Sequence, residues 1–340
     1  MNFVRKPEIK VAVHSGVFHA DDVLCVALLD IVTPANELKV YRTRDKNVLE
    51  KCDFILDVGC KDLITRDQVW FDHHQEEVET DFYPNGIKKA ACGKLFEFLW
   101  NNELFQLAYD LEDDQLFLDI IKTKILEKIF YPVEAQDNGQ TIDGIENNKF
   151  SFVKSLLPPF NEQSTYEMYE SFQNAVVIVE NVFNNIIKNI IADAFGEMQV
   201  TYTLEEQPYG DILVLPEYFP WINPVMEWNT NVATREELGE EKEADIKKVV
   251  VFKGMDGNFM AQVVGTGNPD DKFESYVKFP ESWAAKRDQE LSDKSGIPDA
   301  VFCHPGRFIS GWKTLTSAIK AAEAITENNW YNVKEEAVNE

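Results

Sequence analysis

Basic residues are scarce in this chain, and their shortage limits the partners that it can have. Lysine and arginine number 33 against 59 aspartates and glutamates, which gives a formal net charge of -26. A surface of this sign does not hold nucleic acid by general basicity, because such binding depends on cations that neutralise phosphates. It still allows a nucleic-acid substrate that bound metals and a local basic groove would engage.

Paired cysteines and long apolar runs are also missing. The five cysteines have an odd count and no C-x-x-C spacing, which favours reduced thiols over a disulfide framework. The first ten residues lack the apolar core of a signal peptide, and no apolar run of about 18 residues occurs. We therefore expect a cytoplasmic protein that does not span a membrane and carries no clear targeting segment.

Histidine is rare too, and four of the five histidines lie in two short stretches. In the first, V-A-V-H-S-G-V-F-H-A-D-D at residues 11–22, a β-branched run ends at His14, and His19 follows five residues later. Asp21 then opens a helical pattern. In the second, W-F-D-H-H-Q at residues 70–75, a strand-like run ends in three polar side chains. Imidazoles and carboxylates of this kind can ligate a divalent transition metal.

Strand-like and helical patterns alternate around these stretches. We predict strands at 9–15, 38–42, 53–58 and 68–71 and a helix at 21–31. This alternation favours an α/β domain with a parallel, doubly wound sheet. Polar residues at the carboxyl ends of its strands would then converge on one crevice.

Such a crevice would collect more metal-binding groups than one ion needs. The candidate ligands are His14, His19, Asp21, Asp57, His73, His74 and Asp137. They suit two divalent ions about 3.5–4 Å apart, which would activate a water to attack phosphorus. The mixed donor set fits Mn²⁺ first, with Mg²⁺, Co²⁺ or Zn²⁺ as alternatives.

Several of these residues have a plainer interpretation, which the sequence leaves open. Asp21 and Asp22 also suit the electrostatics of a helix N-terminus, and Asp22 could orient ligands from behind them. Asp137 precedes an Asn-Gly turn signal and could be a turn residue alone. Arg42 and Arg44 could bind phosphate or form ordinary surface ion pairs.

The remainder of the chain predicts helices and then a second group of strands. Residues 90–131 are mostly helical in pattern, and a long amphipathic helix is predicted at about 166–194. Strands are predicted for Q-V-T-Y-T at 199–203 and D-I-L-V-L at 211–215, with a hairpin around 255–257.

These patterns predict two domains. They are a metal-binding catalytic domain at 1–160 and a smaller α+β domain at 198–340, joined by a connector helix at 161–197. The apolar stripe of the connector fits an internal core, and equally a homodimer interface.

A loop near the C-terminal end of the sequence mixes glycine, basic and aromatic residues. It reads H-P-G-R-F-I-S-G-W-K at residues 304–313 and contains His304, the fifth histidine. Its composition favours binding of phosphate or a nucleotide. The alternative is a turn that is capped by the histidine.

Taken together, these motifs resemble a known family. W-F-D-H-H-Q, D-V-G and H-S-G-V-F-H-A-D-D are similar to motifs of the DHH phosphoesterase superfamily. E-A-Q-D-N-G, L-P-P-F-N, P-E-S-W-A-A-K-R-D and the stretch from G-I-P-D-A-V-F to I-S-G-W-K-T extend the likeness over nearly the whole chain. The closer resemblance is to the melanocyte-proliferating-gene (Myg) family of metal-dependent hydrolases and exonucleases.

The resemblance implies a DHH-type parallel-sheet N-terminal domain and a substrate-binding C-terminal domain, with the active site in the cleft between. It puts His14, His19, Asp21, Asp57, His73 and Asp137 at metal positions, and His74 beside the metal or substrate. Members of the family are described as manganese-dependent 3′-5′ exonucleases that act on RNA in the cytosol, nucleus or mitochondria.

We therefore predict a two-metal phosphodiesterase that acts on single-stranded RNA or short oligonucleotides. The predicted catalytic residues are Asp72, His73 and His74. The predicted substrate-binding residues are Arg44, His74, His304, Gly306, Arg307 and Lys313. Two alternatives stay open: a phosphohydrolase of pyrophosphate, dinucleotides or sugar phosphates, which fits the acidic surface better, and a metal-stabilised scaffold without turnover.

Overall fold

A computed structural model describes residues 8–33, 37–59, 67–73, 81–239 and 244–326. The predicted site residue His74 lies outside the described residues. The chain divides into two compact units, Met1–Ile191 and Ala192–Glu340, and each is described by itself below.

The first unit is built on a four-stranded parallel sheet. Its strands are β1 (Glu8–Val13), β2 (Glu37–Arg42), β3 (Phe54–Leu56) and β4 (Val69–Phe71), in the order β2-β1-β3-β4. The predicted parallel sheet and α/β class are thereby confirmed, whereas the DHH-type layout stays a prediction. The side chains of β3 and of the second half of β1, Val11–Val13, are buried, which explains why these stretches are apolar without alternation.

The first helix, α1 (Ala20–Val32), lies in the interior of this unit. All of its side chains from Asp21 to Leu29 are buried, and those from Val23 to Leu29 are all apolar. A short helix, α2 (Lys46–Leu49), follows β2. The first turn of α1 is therefore the point at which polar groups enter the core.

Four helices, α3 to α6, follow β4, and α3, α4 and α6 pack against α1. They are α3 (Ala91–Asn101), α4 (Leu104–Ala108), α5 (Gln115–Ile125) and α6 (Tyr131–Asp137). A π-helical turn over Leu126–Phe130 joins α5 to α6 without a break. Such turns are rare and frequently occur at functional sites. This one precedes the segment E-A-Q-D-N-G, which contains Asp137.

The longest helix, α7, begins earlier and ends later than its sequence pattern predicts. It runs over Thr165–Glu206, and Phe172, Phe183 and Ile187 on its apolar face are fully buried. The prediction of a strand at 199–203 is wrong, because these residues are helical. In a helix, Val200 and Leu204 share one face, and both pack into an apolar core of the second unit. This packing overrides the preference of β-branched residues for strands.

In the described part of the chain, α7 is also the one helix that is long and apolar enough to cross a membrane. It contains an 18-residue window with a mean hydropathy of 1.4, of which 33% is buried. This criterion concerns length and composition only, and the core helix of a soluble protein meets it as well. The expectation of a protein that does not span a membrane therefore stays a prediction.

The second unit contains a mixed five-stranded sheet. Its strands are β5 (Ile212–Val214), β6 (Val249–Lys253), β7 (Phe259–Val263), β8 (Ala300–Cys303) and β9 (Ile309–Trp312), in the order β5-β6-β7-β9-β8. Only the β5–β6 pairing is parallel. The predicted strand at 211–215 and the hairpin around 255–257 are confirmed.

Alternate side chains of β6 enter two cores, one on each face of this sheet. Val249 and Val251 pack with helices α9 (Asp288–Ser295) and α10 (Leu315–Glu323). Val250 packs on the other face with α8 (Ile222–Glu237) and the end of α7. Both faces are covered, so β6 is apolar at every position but the last.

A close approach of α7 to the chain before α8 yields a stability prediction. A Cβ atom at Gly196 would overlap the ring of Pro220. We expect Gly196→Ala to destabilise the protein by about 1–3 kcal/mol, because neither a helix nor a proline ring gives way easily. Urea denaturation measures this change. Asn189→Ala, on the exposed side of α7, is the matched control, and an equal stability of the two variants would contradict the packing described.

Candidate metal centre

Three neighbouring strands of the first sheet deliver polar side chains where they end. His14 follows β1, Asp57 follows β3, and Asp72 and His73 follow β4. The backbone of Asp57 has a φ of 56°, in the left-handed region, and its N–H donates to the carbonyl of Phe71 at 2.9 Å. The neighbouring strand thus holds Asp57 in a conformation that non-glycine residues rarely adopt.

The N-terminus of α1 adds two carboxylates. Asp21 and Asp22 are fully buried, and Asp22 Oδ1 accepts a hydrogen bond from the backbone N–H of His19 at 2.8 Å. The helix-terminus interpretation is therefore correct for Asp22. Its second oxygen nevertheless lies 3.2 Å from His14 Nε2, so the same side chain also belongs to the polar cluster.

Asp57 and His73 form the middle of this cluster. The two oxygens of Asp57 lie 3.3 Å from His14 Nε2 and 3.5 Å from His73 Nε2. His73 Nε2 also lies 3.0 Å from Asp137 Oδ2 and 3.9 Å from Asp21 Oδ2. Ligand atoms of Asp21, Asp57 and His73 are all within 4.8 Å of one another, which defines a buried group able to hold a metal ion.

The solvent side of the cluster is formed by His19 and Asp137. His19 Nδ1 lies 4.0 Å from Asp137 Oδ1, and the two side chains are 46% and 13% exposed. The structure therefore brings six of the seven predicted ligands together. The seventh, His74, lies outside the described residues.

The N-terminus of α3 provides hydrogen bonds behind the cluster. Backbone N–H groups of Ala91 and Cys92 donate to the two oxygens of Asp21 at 3.2 and 2.7 Å, and that of Ala90 donates to Glu134 Oε1 at 2.6 Å. Free N–H groups and the positive end of a helix dipole both favour a carboxylate there. They fix the orientation of Asp21.

Glu134 is a buried residue of the site that sequence reasoning missed. Its side chain is fully buried one helical turn before Asp137, against Gly93 of α3. A Cβ atom at Gly93 would overlap the carboxyl group of Glu134 and the hydroxyl of Tyr83. Position 93 must therefore be glycine for α3 to approach the cluster this closely.

Asn138, which sequence reasoning also missed, determines how His73 is oriented. Its amide nitrogen donates to the carbonyls of Lys88 and Glu134, both at 2.9 Å. Its oxygen therefore faces His73 Nδ1, 3.0 Å away, and places a proton on that nitrogen. His73 Nε2 is left to face the carboxylates, as in a metal-ligating histidine whose other nitrogen is hydrogen-bonded.

Burial and mutual repulsion of the carboxylates dominate the electrostatics of the cluster. Burial, together with Asp57 and Asp137, raises the pKa of Asp21 to about 7. Burial and Asp57 likewise raise the pKa of Asp22 well above its ordinary value. Burial lowers the pKa of His73, but hydrogen bonds to Asp137 and Asp57 outweigh it and raise the value to about 11. Protons and a divalent metal would therefore compete for the same ligand atoms.

The donor set fits such a metal. Carboxylate oxygens and imidazole nitrogens are ligands of Mn²⁺ and related divalent ions. One oxygen of Asp22 is buried without a hydrogen-bond partner, and it faces the cluster. A cation would satisfy this oxygen and offset the charge of its neighbours.

Asp72, Arg44 and Arg42, which are also predicted near the strand ends, make hydrogen bonds to segments around the cluster. Asp72 is buried, and its carbonyl accepts a hydrogen bond from Lys94 Nζ at 3.0 Å. Arg44 donates to the carbonyl of Ser15 at 2.7 Å and so holds the loop that follows His14. Arg42 binds the same loop, since it donates to the carbonyl of Gly16 at 2.6 Å. The predicted catalytic role of Asp72 and the substrate role of Arg44 stay predictions.

The predicted C-terminal loop is a tight turn of the second unit, between β8 and β9. The backbone N–H of Gly306 donates to His304 Nδ1 at 3.0 Å, so a neutral His304 presents Nε2–H outward. Arg307 has a φ of 59°, and its guanidinium donates to the carbonyl of Phe279 at 3.4 Å. Lys313 follows β9, and its backbone N–H donates to the backbone carbonyl of Asp299. The turn-capping interpretation is correct for His304, and substrate binding by these four residues stays a prediction.

The fold and this cluster define an α/β protein with a carboxylate–histidine centre at the carboxyl end of a parallel sheet. The chain belongs to the MYG1_exonuc family, described as uncharacterised protein family UPF0160, whose model matches residues 10–325. This membership bears out the resemblance to the Myg family.

Curated relatives match along almost the whole chain. A MYG1 protein of Schizosaccharomyces pombe is 26% identical over 92% of this chain and 96% of its own length. A MYG1 protein of Dictyostelium discoideum is 25% identical over 93% of this chain and 95% of its own length. A human protein named MYG1 exonuclease is 25% identical over 95% of this chain and 87% of its own length.

Competition between protons and metal predicts a pH-dependent stabilisation. The pKa of Asp21 is about 7 in the metal-free folded chain and about 3.8 when unfolded. Its contribution to metal-free stability is therefore present at low pH and is lost as the pH rises through about 7. We expect saturating Mn²⁺ to raise Tm more at about pH 8 than at about pH 5.5. Calorimetry of metal-stripped protein measures this, with Asp57→Asn as control; an equal rise at both pH values would refute it.

The bond between Asn138 and His73 predicts an effect on metal affinity. Asn138→Ala removes the acceptor that fixes His73 Nδ1, and we expect Mn²⁺ to bind about 10–100-fold more weakly. Isothermal titration with Mn²⁺ measures the change. Asn102→Ala, which removes an exposed amide bonded to the carbonyl of Phe98, should leave the affinity unchanged. An unaltered Mn²⁺ affinity in Asn138→Ala would show that Asn138 does not orient a metal ligand.

Proposed function

We propose that this protein is a manganese-dependent phosphodiesterase that removes nucleotides from the 3′ end of short single-stranded RNA. The observation that supports this most is the buried group of Asp21, Asp57 and His73 at the carboxyl end of the parallel sheet. Human and rat relatives carry the name MYG1 exonuclease, at 25% and 26% identity.

In this proposal, residues of the first unit would bind the metal. Asp21, Asp57, His73 and Asp137 would hold the metal, with His14 and His19 beside them. Seven candidate donors exceed the needs of one ion and support a two-ion site. When bound, the metal lowers the pKa of a water and offsets charge on the phosphoryl oxygens.

Other side chains would orient these ligands and exclude water from them. The α3 N-terminus and Asn138 fix Asp21 and His73, so that little reorganisation is needed when the substrate binds. Arg44, which holds the loop after His14, could turn its remaining N–H groups to a phosphate of the substrate.

The net charge favours short substrates over long ones. A track for extended single-stranded RNA is normally a basic groove, whereas this chain carries a charge of -26. The same observation favours the second candidate, a phosphohydrolase of dinucleotides or other small phosphoesters. The two differ in salt dependence, which is steep only where several phosphates contact cations.

Hydrolysis of 5′-labelled single-stranded RNA tests the proposal. Metal-stripped protein should be inactive, and added Mn²⁺ should produce a ladder that shortens from the 3′ end. We expect Asp57→Asn and His73→Ala to lose at least about a hundredfold in rate, because each removes a metal ligand. Intact RNA with Mn²⁺ demonstrably bound would reject the exonuclease and turn attention to dinucleotides, pyrophosphate and then the scaffold.

A further inference from the structure

A small pocket opens beside the exposed side of the metal centre. Its volume is about 130 Å³, and His19 and Asp137 form one wall. Whole drug-sized ligands occupy about 300–1,000 Å³, so this pocket has room for one group of a substrate rather than a complete nucleotide. It lies entirely within the first unit.

A second wall of the pocket is a segment that the metal site does not use. It consists of Asn148 and the 3₁₀ helix Ser151–Leu156. Phe150 and Val153 are buried and anchor it, and Asn148 donates to Gln136 Oε1 at 2.8 Å, which ties it to α6. The pocket is therefore formed before any ligand binds.

Lys154 gives this wall a positive charge. It lines the pocket next to the buried Val153, and it has no ion-pair partner among the residues that the structure describes. Neighbouring Lys149, by contrast, pairs with Glu146 at 2.9 Å and does not line the pocket. In a chain with a net charge of -26, a lysine left without a carboxylate beside a concave site suits an anionic ligand.

The remaining polar groups of the wall suit the same ligand. Ser151 provides a hydroxyl that can donate, and Asn148 an amide. Asp137, the acid nearest to the pocket, has Oδ2 directed to His73 at 3.0 Å, so its charge is largely committed to the metal centre. Hydrogen-bond donors and one free cation around a space of this size match a phosphate group.

We propose that this pocket binds a second phosphate of the substrate, next to the one that is hydrolysed, with Lys154 as its countercharge. The proposal rests on the proposed function and deepens it. It assigns the protein to substrates with at least two neighbouring phosphates, such as oligonucleotides or phosphorylated dinucleotides. Dinucleoside monophosphates, which have one phosphate, would bind without this contact.

The test uses ligand binding, so that it does not depend on turnover. Adenosine 3′,5′-bisphosphate and adenosine 5′-monophosphate are titrated by calorimetry into full-length, Mn²⁺-loaded protein. We expect the bisphosphate to bind roughly fivefold more tightly, as one charged hydrogen bond from an exposed lysine allows. Lys154→Gln should abolish this preference and leave the affinity for the monophosphate unchanged. Lys149→Gln, the matched control, should retain it.

Activity then separates this proposal from the proposed function. On a dinucleotide with a terminal phosphate, Lys154→Gln should raise KM roughly fivefold with kcat unchanged, and on the unphosphorylated dinucleotide it should change neither. Equal binding of the two adenosine ligands by the unaltered protein, or a preference that survives in Lys154→Gln, overturns the pocket even if RNA is degraded. A preference lost only in Lys154→Gln supports the pocket even if no RNA is cleaved.

Discussion

The constraint on which the first unit depends is negative charge buried at the carboxyl end of its sheet. Asp21, Asp22 and Asp57 are almost completely buried within a few ångströms of His14 and His73. Carboxylates in a low dielectric repel one another strongly and also lose their hydration. Such a cluster persists only if protons or a cation compensate it, and the raised pKa of Asp21 is the sign of that requirement.

Much of the surrounding structure holds the side chains of this cluster in position. The end of β3 puts Asp57 in a left-handed conformation, and the first N–H groups of α3 point at Asp21 and Glu134. The close approach of α3 depends on the missing side chain of Gly93. A change far from the ligands can therefore alter the centre, because the helix termini that orient the carboxylates are themselves held by packing.

The parts of the fold with strong local patterns could be predicted from the sequence. Short apolar strands that end in His14, Asp57 and His73 indicated a parallel sheet and a shared crevice, and the structure has both. The strand prediction at 199–203 is wrong because it used the strand propensity of these residues without knowledge of the surface against which they pack. The helix buries Val200 and Leu204 against Trp221 and Val225, contacts that no local window contains.

The missed site residues show the same limit. Glu134 binds the backbone of a residue 44 positions away, and Asn138 binds His73 across 65 positions. Both lie in E-A-Q-D-N-G, which the sequence marked only through Asp137 and a turn signal. In sequence alone, a carboxylate that orients another group is indistinguishable from a solvated one. Its role follows from burial, which requires the rest of the fold.

The distribution of charge connects the two proposals about substrate. A chain with a charge of -26 repels those parts of a long polyanion that come within about one Debye length of its surface, so it cannot guide RNA by its general field. Attraction must then come from the metal centre and from cations within a few ångströms of it. Lys154 is a cation that lines the pocket beside that centre, next to the buried Val153. Attraction at the site and repulsion from the rest of the surface would together select ligands with few phosphates, which would make the acidic surface compatible with the proposed phosphodiesterase activity.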